Sequence, residues 1–161
     1  MSLNRHAAEI LESLVCLRTD QPAADERPLA RLLLRELSAH GADEVRFVEV
    51  PRPGTTGAYV FARWGTPRLL LNAHLDTVPI NAGWTGDPFT PRRTDEEGGR
   101  IYGLGACDTK GAIAAILAAL PIERPRDVGV LFSGDEEHTG TCVRAFLASD
   151  LARGIERAVV F

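Results

Sequence analysis

The sequence predicts an α/β fold with a mostly parallel, mixed sheet and helices on both of its faces. Two apolar runs, Arg68–Ala73 and Val128–Phe132, lack the alternation of a half-exposed strand and are typical of strands covered on both faces. Between them lies Ala112–Leu120, an almost purely apolar stretch that suits a buried helix. A strand, a helix and a second strand in this order favour a parallel crossover connection.

Two amphipathic helices are predicted before the sheet. Apolar residues recur at helical spacing over 7–15 and again over 29–37. Pro28 lies near the start of the second helix, and Gly41 lies at its expected C-cap. The acidic stretch Asp25–Arg27, which connects the two helices, is expected to be a solvated loop.

The remaining elements complete an alternating pattern. A hairpin formed by Val45–Val50 and Gly57–Arg63 is predicted at the edge of the sheet. The stretch 77–99 is rich in Pro, Gly, Asp and Thr, and it is predicted to be a long surface loop of the kind that is often functional. An amphipathic helix is predicted over Thr141–Arg153, and Ala158–Phe161 begins one more strand.

The composition is that of one globular domain. The chain has 161 residues, of which 45% are hydrophobic and 25% charged, and this is enough for a sizeable core. Its net charge is -4, and its scattered basic residues form no stripe that would bind nucleic acid or an anionic membrane. No apolar stretch approaches the roughly 20 residues of a membrane-spanning helix. We therefore expect a cytoplasmic protein without a nucleic-acid or membrane partner.

The cysteines give no sign of a thiolate metal site or of a disulfide framework. There are three, an odd number, and no two of them form a Cys-x-x-Cys pair. Cys16, Cys107 and Cys142 are therefore predicted to be small buried residues. Cys107 precedes Asp108, so a nucleophilic cysteine with a nearby histidine base stays open as an alternative.

Side chains that could hold a metal ion follow the predicted strands or lie at the matching bend: His74, Asp76, Asp108, Asp135, Glu136 and Glu137. Ligands of α/β sheets bind beyond the carboxyl ends of the strands, so these groups are expected at one rim. Two carboxylates about 4 Å apart repel by roughly 4 kcal/mol at an effective dielectric constant near 20. This is large beside a net stability of about 5–15 kcal/mol. A bound metal ion is the simplest cation to offset the repulsion.

The spacing of these residues indicates roles for some of them. His74 and Asp76 lie two apart on an extended chain and point to the same side, so Asp76 can hold the ring N–H of a metal-binding His74. Glu136 and Glu137 point in opposite directions in an extended segment, so one can bind metal while the other moves protons. Taken singly, these motifs also suit a core histidine, a helix N-cap at Asp108 and a solvated acidic turn.

Three motifs in this order resemble the M20 metallopeptidases, the aminoacylase/carboxypeptidase family of co-catalytic zinc amidohydrolases. They are His74-Leu-Asp76, Tyr102–Gly111 and Gly134-Asp-Glu-Glu137. Within that family, Trp84–Phe89 and Tyr102–Gly105 are most similar to acetylornithine deacetylases and to relatives that act on acetylcitrulline.

The resemblance implies a catalytic domain of the zinc-exopeptidase type with two divalent metal ions, zinc most simply and cobalt as an option. His74 would bind the first ion, Asp108 would bridge both, and Glu137 would bind the second. Glu136 would be the general base, and Asp76 would orient His74.

The resemblance also implies parts of the protein outside these residues. The family has two further metal ligands, one just after the strand that Ala158–Phe161 begins and one near the C-terminus, and a small dimerisation domain. We therefore expect residues 1–161 to be the N-terminal portion of a metal-dependent catalytic domain, without the dimerisation domain and the C-terminal catalytic segment. The full-length form is expected to be a homodimer. The family also implies a cis peptide bond between Asp108 and Thr109.

The implied activity is the removal of the acetyl group from an N-acyl amino acid such as N-acetylornithine or N-acetylcitrulline, in arginine biosynthesis. A dipeptidase, an aminoacylase and a succinyl-diaminopimelate desuccinylase are alternatives within the family. An inactive truncated module that binds metal weakly or not at all is the alternative outside enzymes.

Overall fold

A five-stranded mixed sheet forms the centre of the molecule. The structure is a computed structural model that describes residues 3–22, 24–94, 99–122 and 124–161. Its helices are α1 (Leu3–Val15), α2 (Arg27–Ala39), α3 (Lys110–Ala119) and α4 (Thr141–Leu147). Its strands are β1 (Glu44–Arg52), β2 (Thr55–Trp64), β3 (Leu69–His74), β4 (Arg92–Thr94), β5 (Arg100–Tyr102), β6 (Val128–Ser133) and β7 (Arg157–Val160).

The strand order of the sheet is β1-β2-β6-β3-β7, and β4 and β5 form a separate two-stranded ribbon. β2 is antiparallel to both β1 and β6, whereas β3 is parallel to both β6 and β7. This confirms the predicted α/β class with a mixed sheet, although its strand pairs divide equally between the two orientations. In the parallel pair, His74 lies opposite Ser133, so β3 and β6 end at the same rim.

Helices cover both faces of the sheet, as predicted. β2 is buried along most of its length, and its residues alternate between the two sides. Val60 and Ala62 belong to the core cluster under α1, α2 and α3, whereas Tyr59 and Phe61 belong to the cluster under α4. Phe146 of α4 anchors the second cluster, and its ring centroid lies 5.1 Å from that of Phe61. The two clusters pack against opposite faces of the sheet beneath the rim.

Two elements differ from the prediction. α4 ends at Leu147 and not at Arg153, because Ser149 starts a separate 3-10 turn over Asp150–Ala152 and its hydroxyl accepts the amide of Leu151 at 3.3 Å. The stretch 77–99 contains β4, which pairs with β5, and its residues 95–98 lie outside the described residues.

The prediction of three buried cysteines is wrong for two of them. Cys142 lies in the core, but Cys16 and Cys107 are exposed, and all three are free thiols. Cys16 directly follows the last residue of α1, and its thiol contacts the carbonyl of Glu12 at the solvated end of that helix. Cys107 lies in the bend that reaches the rim of the sheet. In the described ranges, no helix combines the length and the apolar character needed to cross a membrane.

Candidate metal centre

Three separate segments of the chain bring His74, Asp108 and Glu137 together at the rim of the sheet. One possible ligand atom from each residue lies within 4.8 Å of those of the other two. His74 is the last residue of β3, Asp108 lies in the bend before α3, and Glu137 lies in the turn after β6. An imidazole nitrogen with carboxylate oxygens is a donor set that catalytic zinc sites use.

The ring of His74 contacts an oxygen at each of its two nitrogens. Nδ1 lies 2.8 Å from the backbone oxygen of Asp76, and Nε2 lies 2.8 Å from Oδ1 of Asp108. Both oxygens are acceptors, whereas a neutral imidazole has a single N–H to donate. The second contact therefore needs either another proton or a cation between Nε2 and the carboxylate, and a metal ion fits this requirement.

The surroundings of His74 raise the pKa of its ring when no cation is bound. Burial by itself lowers the pKa of His74, but the contacts with Asp108 and Asp76 outweigh burial, so that the pKa is raised. Burial raises the pKa of Glu137, His74 opposes this change, and the nearby carboxylates of Asp108 and Glu136 raise it further. The rim thus gathers more acidic groups than one imidazole can neutralise, which favours a divalent ion.

Asp76 has a different contact from the one expected. The ring N–H of His74 is held by the backbone carbonyl of Asp76, and the closest approach to the carboxylate is 3.8 Å. The fully buried carboxylate accepts the amide N–H groups of Glu136 at 3.1 Å and of Glu137 at 3.0 Å. The reason is that these two amides begin a turn and have no strand partner, so Asp76 satisfies them.

Glu136 and Glu137 do not lie in an extended segment. Asp135 has a positive φ of 64°, which bends the chain into a turn over 136–139. The rule that neighbouring side chains of an extended chain point in opposite directions therefore does not apply to these two residues. Oε2 of Glu136 lies 3.9 Å from Nε2 of His74, and the Glu136 side chain is 56% exposed. Both glutamates reach the same rim, Glu137 as part of the ligand cluster and Glu136 beside it.

Thr109 ties the bend of Asp108 to the end of β3. Its buried hydroxyl accepts the amide N–H of His74 and donates to the carbonyl of His74, at 3.0 Å in each case. The peptide bond between Asp108 and Thr109 is cis, as the family resemblance implies. Sequence reasoning missed Thr109, because a threonine that precedes a helix is common and gave no signal beyond its position next to Asp108.

Glu26 is buried close to this site, although the stretch Asp25–Arg27 was expected to be solvated. Its side chain is 2% exposed and accepts the Gln21 amide at 2.5 Å and the Ala58 backbone N–H at 3.4 Å. Burial raises the pKa of Glu26 to about 7, the charge of Asp76 raises it too, and Arg52 opposes both. The solvated-loop interpretation is wrong here because Glu26 precedes α2 and turns inward against β2.

The free energy of unfolding of Glu26→Gln is expected to increase relative to that of wild type as the pH rises from about 4.5 to about 7. The folded pKa lies above the unfolded value, so wild-type stability falls as the pH rises through this window, whereas glutamine does not titrate. The full effect is at most about 3–4 kcal/mol, at about 1.4 kcal/mol for each of the roughly 2.5 pH units between 4.5 and about 7. Urea unfolding at several pH values measures it. Glu36→Gln, at an exposed position of α2, is the control. A difference between Glu26→Gln and wild type that does not change with pH would contradict the prediction.

The stretch of the chain that contains these residues is similar to that of known proteins. A family model described as Peptidase family M20/M25/M40 matches residues 70–160. The N-acetyl-L-citrulline deacetylase of Xanthomonas campestris is 46% identical over 105 residues, which cover 65% of this chain and 28% of that protein. The acetylornithine deacetylase of Pectobacterium carotovorum is 42% identical over 115 residues, 66% of this chain and 29% of that protein.

Another curated relative is named for the removal of a different acyl group. A succinyl-diaminopimelate desuccinylase of Acidiphilium cryptum is 38% identical over 131 residues, 71% of this chain and 34% of that protein. The chain thus spans between 28% and 34% of the length of these three curated relatives.

Solved structures share the fold at lower sequence identity. Human carnosine dipeptidase 1 has a TM-score of 0.77 at 22% identity, and the match covers 98% of this chain and 39% of that one. The di-peptidase Dug1p of Saccharomyces cerevisiae has a TM-score of 0.81 at 19% identity, over 98% of this chain and 38% of that one.

Proposed function

Because the chain belongs to peptidase family M20/M25/M40, we propose that it supplies the N-terminal part of the catalytic domain of a metal-dependent amide hydrolase. The observation that carries the proposal is the convergence of His74, Asp108 and Glu137 within 4.8 Å. The chain covers at most 34% of the length of the three curated relatives described above. The activity is therefore proposed for a full-length protein that contains these residues, and we propose a homodimer formed through parts outside them.

The proposed cofactor is a pair of divalent ions, zinc by preference and cobalt as an alternative. His74 would hold one ion and Glu137 the other, while Asp108 carries two carboxylate oxygens and can bridge between them. When bound, the metal supplies a Lewis acid that polarises the acyl carbonyl and lowers the pKa of water to about 7. The Nδ1–H bond to the Asp76 carbonyl keeps Nε2 of His74 directed at the ligand cluster.

Glu136 is the proposed general base. Its carboxylate is partly solvated, so it can take up and release protons, and it lies 3.9 Å from the ring of His74. It would accept a proton from the attacking water and return one to the amine nitrogen as the amide C–N bond breaks. The products are a carboxylate, acetate in the proposed case, and a free amino acid. The backbone of Glu136 is held by Asp76, so its position does not depend on its own side chain.

We propose an N-acetylated amino acid of the ornithine or citrulline type as the substrate, which places the reaction in arginine biosynthesis in the cytoplasm. The two deacetylases, at 46% and 42% identity, support this choice. The desuccinylase, at 38% identity over a larger share of this chain, supports N-succinyl-diaminopimelate as a second candidate. The two candidates differ in the acyl group, because the succinyl group carries an additional carboxylate.

A panel of N-acyl amino acids is expected to separate these candidates. The full-length protein is stripped of metal, reloaded with Zn²⁺ and assayed with N-acetylornithine, N-acetylcitrulline, N-succinyl-diaminopimelate, N-acetylmethionine and a dipeptide. We expect the highest kcat/KM for one of the first two substrates and loss of activity in the stripped form. Preference for the succinyl substrate would favour the second candidate. Hydrolysis that survives complete removal of metal would contradict the proposed chemistry.

A further inference from the structure

A buried ion pair lies directly beside the turn that carries Glu136 and Glu137. Arg52 is the last residue of β1, and its side chain is 5% exposed. Its Nη2 lies 2.6 Å from Oδ1 of Asp135, whose side chain is fully buried. Its Nη1 lies 3.6 Å from Oε1 of Glu26. One guanidinium therefore forms ion pairs with two buried acidic groups that come from distant parts of the sequence.

Asp135 holds the far end of the same turn. Its carboxylate accepts the amide N–H of Thr139 at 3.3 Å and that of Thr141 at 2.9 Å, together with the hydroxyl of Thr139. Asp76 holds the near end through the amides of Glu136 and Glu137. The turn is thus fixed between two buried carboxylates. A buried carboxylate that loses its positive partner is strongly destabilising, because its charge is then left without compensation.

We propose that Arg52 is a positioning residue for Glu136 and Glu137, acting through Asp135. The guanidinium fixes the carboxylate of Asp135 in place, and Asp135 in turn fixes the backbone that carries both glutamates to the rim. The roles of the two glutamates rest on the proposed function, whereas the effect of Arg52 on the turn does not.

The surrounding glycines show that the network is built tightly into the fold. A Cβ atom added at Gly134 would lie 2.0 Å from Oε1 of Glu26, and one added at Gly57 would lie 2.9 Å from Cδ of Arg52. Both side chains therefore pack directly against backbone that has no room for a larger residue. The planar guanidinium reaches two acids with different nitrogens, which the single ammonium group of lysine does not reproduce.

The proposal is tested with Arg52→Met and Arg52→Lys. Hydrogen exchange is measured on the metal-free chain for the turn amides: Glu136, Glu137, Thr139 and Thr141. In Arg52→Met these amides are expected to exchange at least about tenfold faster, while amides of the β2–β6 ladder keep their protection. Co²⁺ binding is expected to weaken about 10–100-fold, as for other residues that orient metal ligands. Arg52→Lys should recover part of both effects.

Arg63→Met is the matched control, because Arg63 lies on the adjacent strand β2 and pairs with Glu44 at 2.6 Å, away from the turn. If Arg52→Met does not fold, the double variant with Glu26→Gln removes one buried acid together with the guanidinium and is measured instead. Unchanged exchange at the turn, or equal acceleration throughout the chain, would overturn the proposal. Failure of the wild-type chain to bind Co²⁺ would count against the proposed function alone, because the exchange data still decide the role of Arg52.

Discussion

Glu136→Gln is expected to reduce kcat roughly 10²–10⁴-fold, the range typical of a general base, while metal binding stays intact. Glutamine has nearly the same shape but cannot accept a proton from water. The Glu136 side chain is 56% exposed, and its backbone amide keeps its bond to Asp76, so the fold is expected to be unaffected. The measurement is kcat and KM of the zinc-loaded full-length protein, with the zinc content determined by mass spectrometry.

Glu156→Gln is the control for this variant, because Glu156 is half-exposed and pairs with Arg68 at another part of the surface. It should retain wild-type kcat. Normal turnover in Glu136→Gln would exclude Glu136 as the base. A loss of bound zinc in that variant would instead assign Glu136 to the ligand set, and its role would have to be exchanged with that of Glu137.

Asp108→Asn is expected to weaken the binding of Zn²⁺ and Co²⁺ by more than about 100-fold, which exceeds the 10–100-fold typical of residues that only orient ligands. Asp108 contacts Nε2 of His74 at 2.8 Å and is the proposed bridge, and the substitution removes its negative charge and one of the two oxygens that would bind the ions. Its side chain is 71% exposed, and the loss of the charge should therefore have little effect on folding. Calorimetric titration of the 161-residue chain measures the affinity.

The corresponding control is Asp150→Asn, since Asp150 is exposed and pairs only at the surface with Arg153. This control should bind metal as wild type does. Equal affinity in wild type and Asp108→Asn would mean that the ions bind elsewhere, and the cluster with His74 and Glu137 would then have no role in holding metal.

The sheet and the rim could be predicted from the sequence because both depend on strong local patterns. The stretches before His74 and before Gly134 are mostly apolar without alternation, which is typical of strands covered on both faces. Strands of this type lie parallel and end together, so the polar residues that follow them are expected at one place. The motifs around Asp108 then linked this place to a family, which the family model matching residues 70–160 confirms.

The details of the turn could not be predicted in the same way. The rule that neighbouring side chains alternate requires an extended chain, and the left-handed conformation of Asp135 ends the extension before Glu136. Similarly, Asp76 follows β3 two residues after His74, as the spacing requires, but its carboxylate accepts the backbone amides of Glu136 and Glu137 in the turn. A pattern of side-chain types does not predict where such backbone donors lie.

The buried network was missed because its members have no sequence relation to each other. Glu26 precedes a helix, Arg52 stands at a hairpin and Asp135 follows a strand, and each of these local contexts suits a solvated residue. Only the sheet order, with β2 between β1 and β6, brings the three together. Likewise, the helical period over 141–153 identified residues that pack against the core, but it could not show that Ser149 interrupts the helix.

The two hydrogen bonds between Thr109 and the backbone of His74 join the segments of the candidate metal centre directly. They do not involve the long loop that joins Asp76 to the two-stranded ribbon of β4 and β5. The backbone of Thr77 pairs with that of Thr19 and Gln21 at the start of this loop, so a change of length or composition in 78–91 is expected to leave the spacing of the donor atoms unchanged.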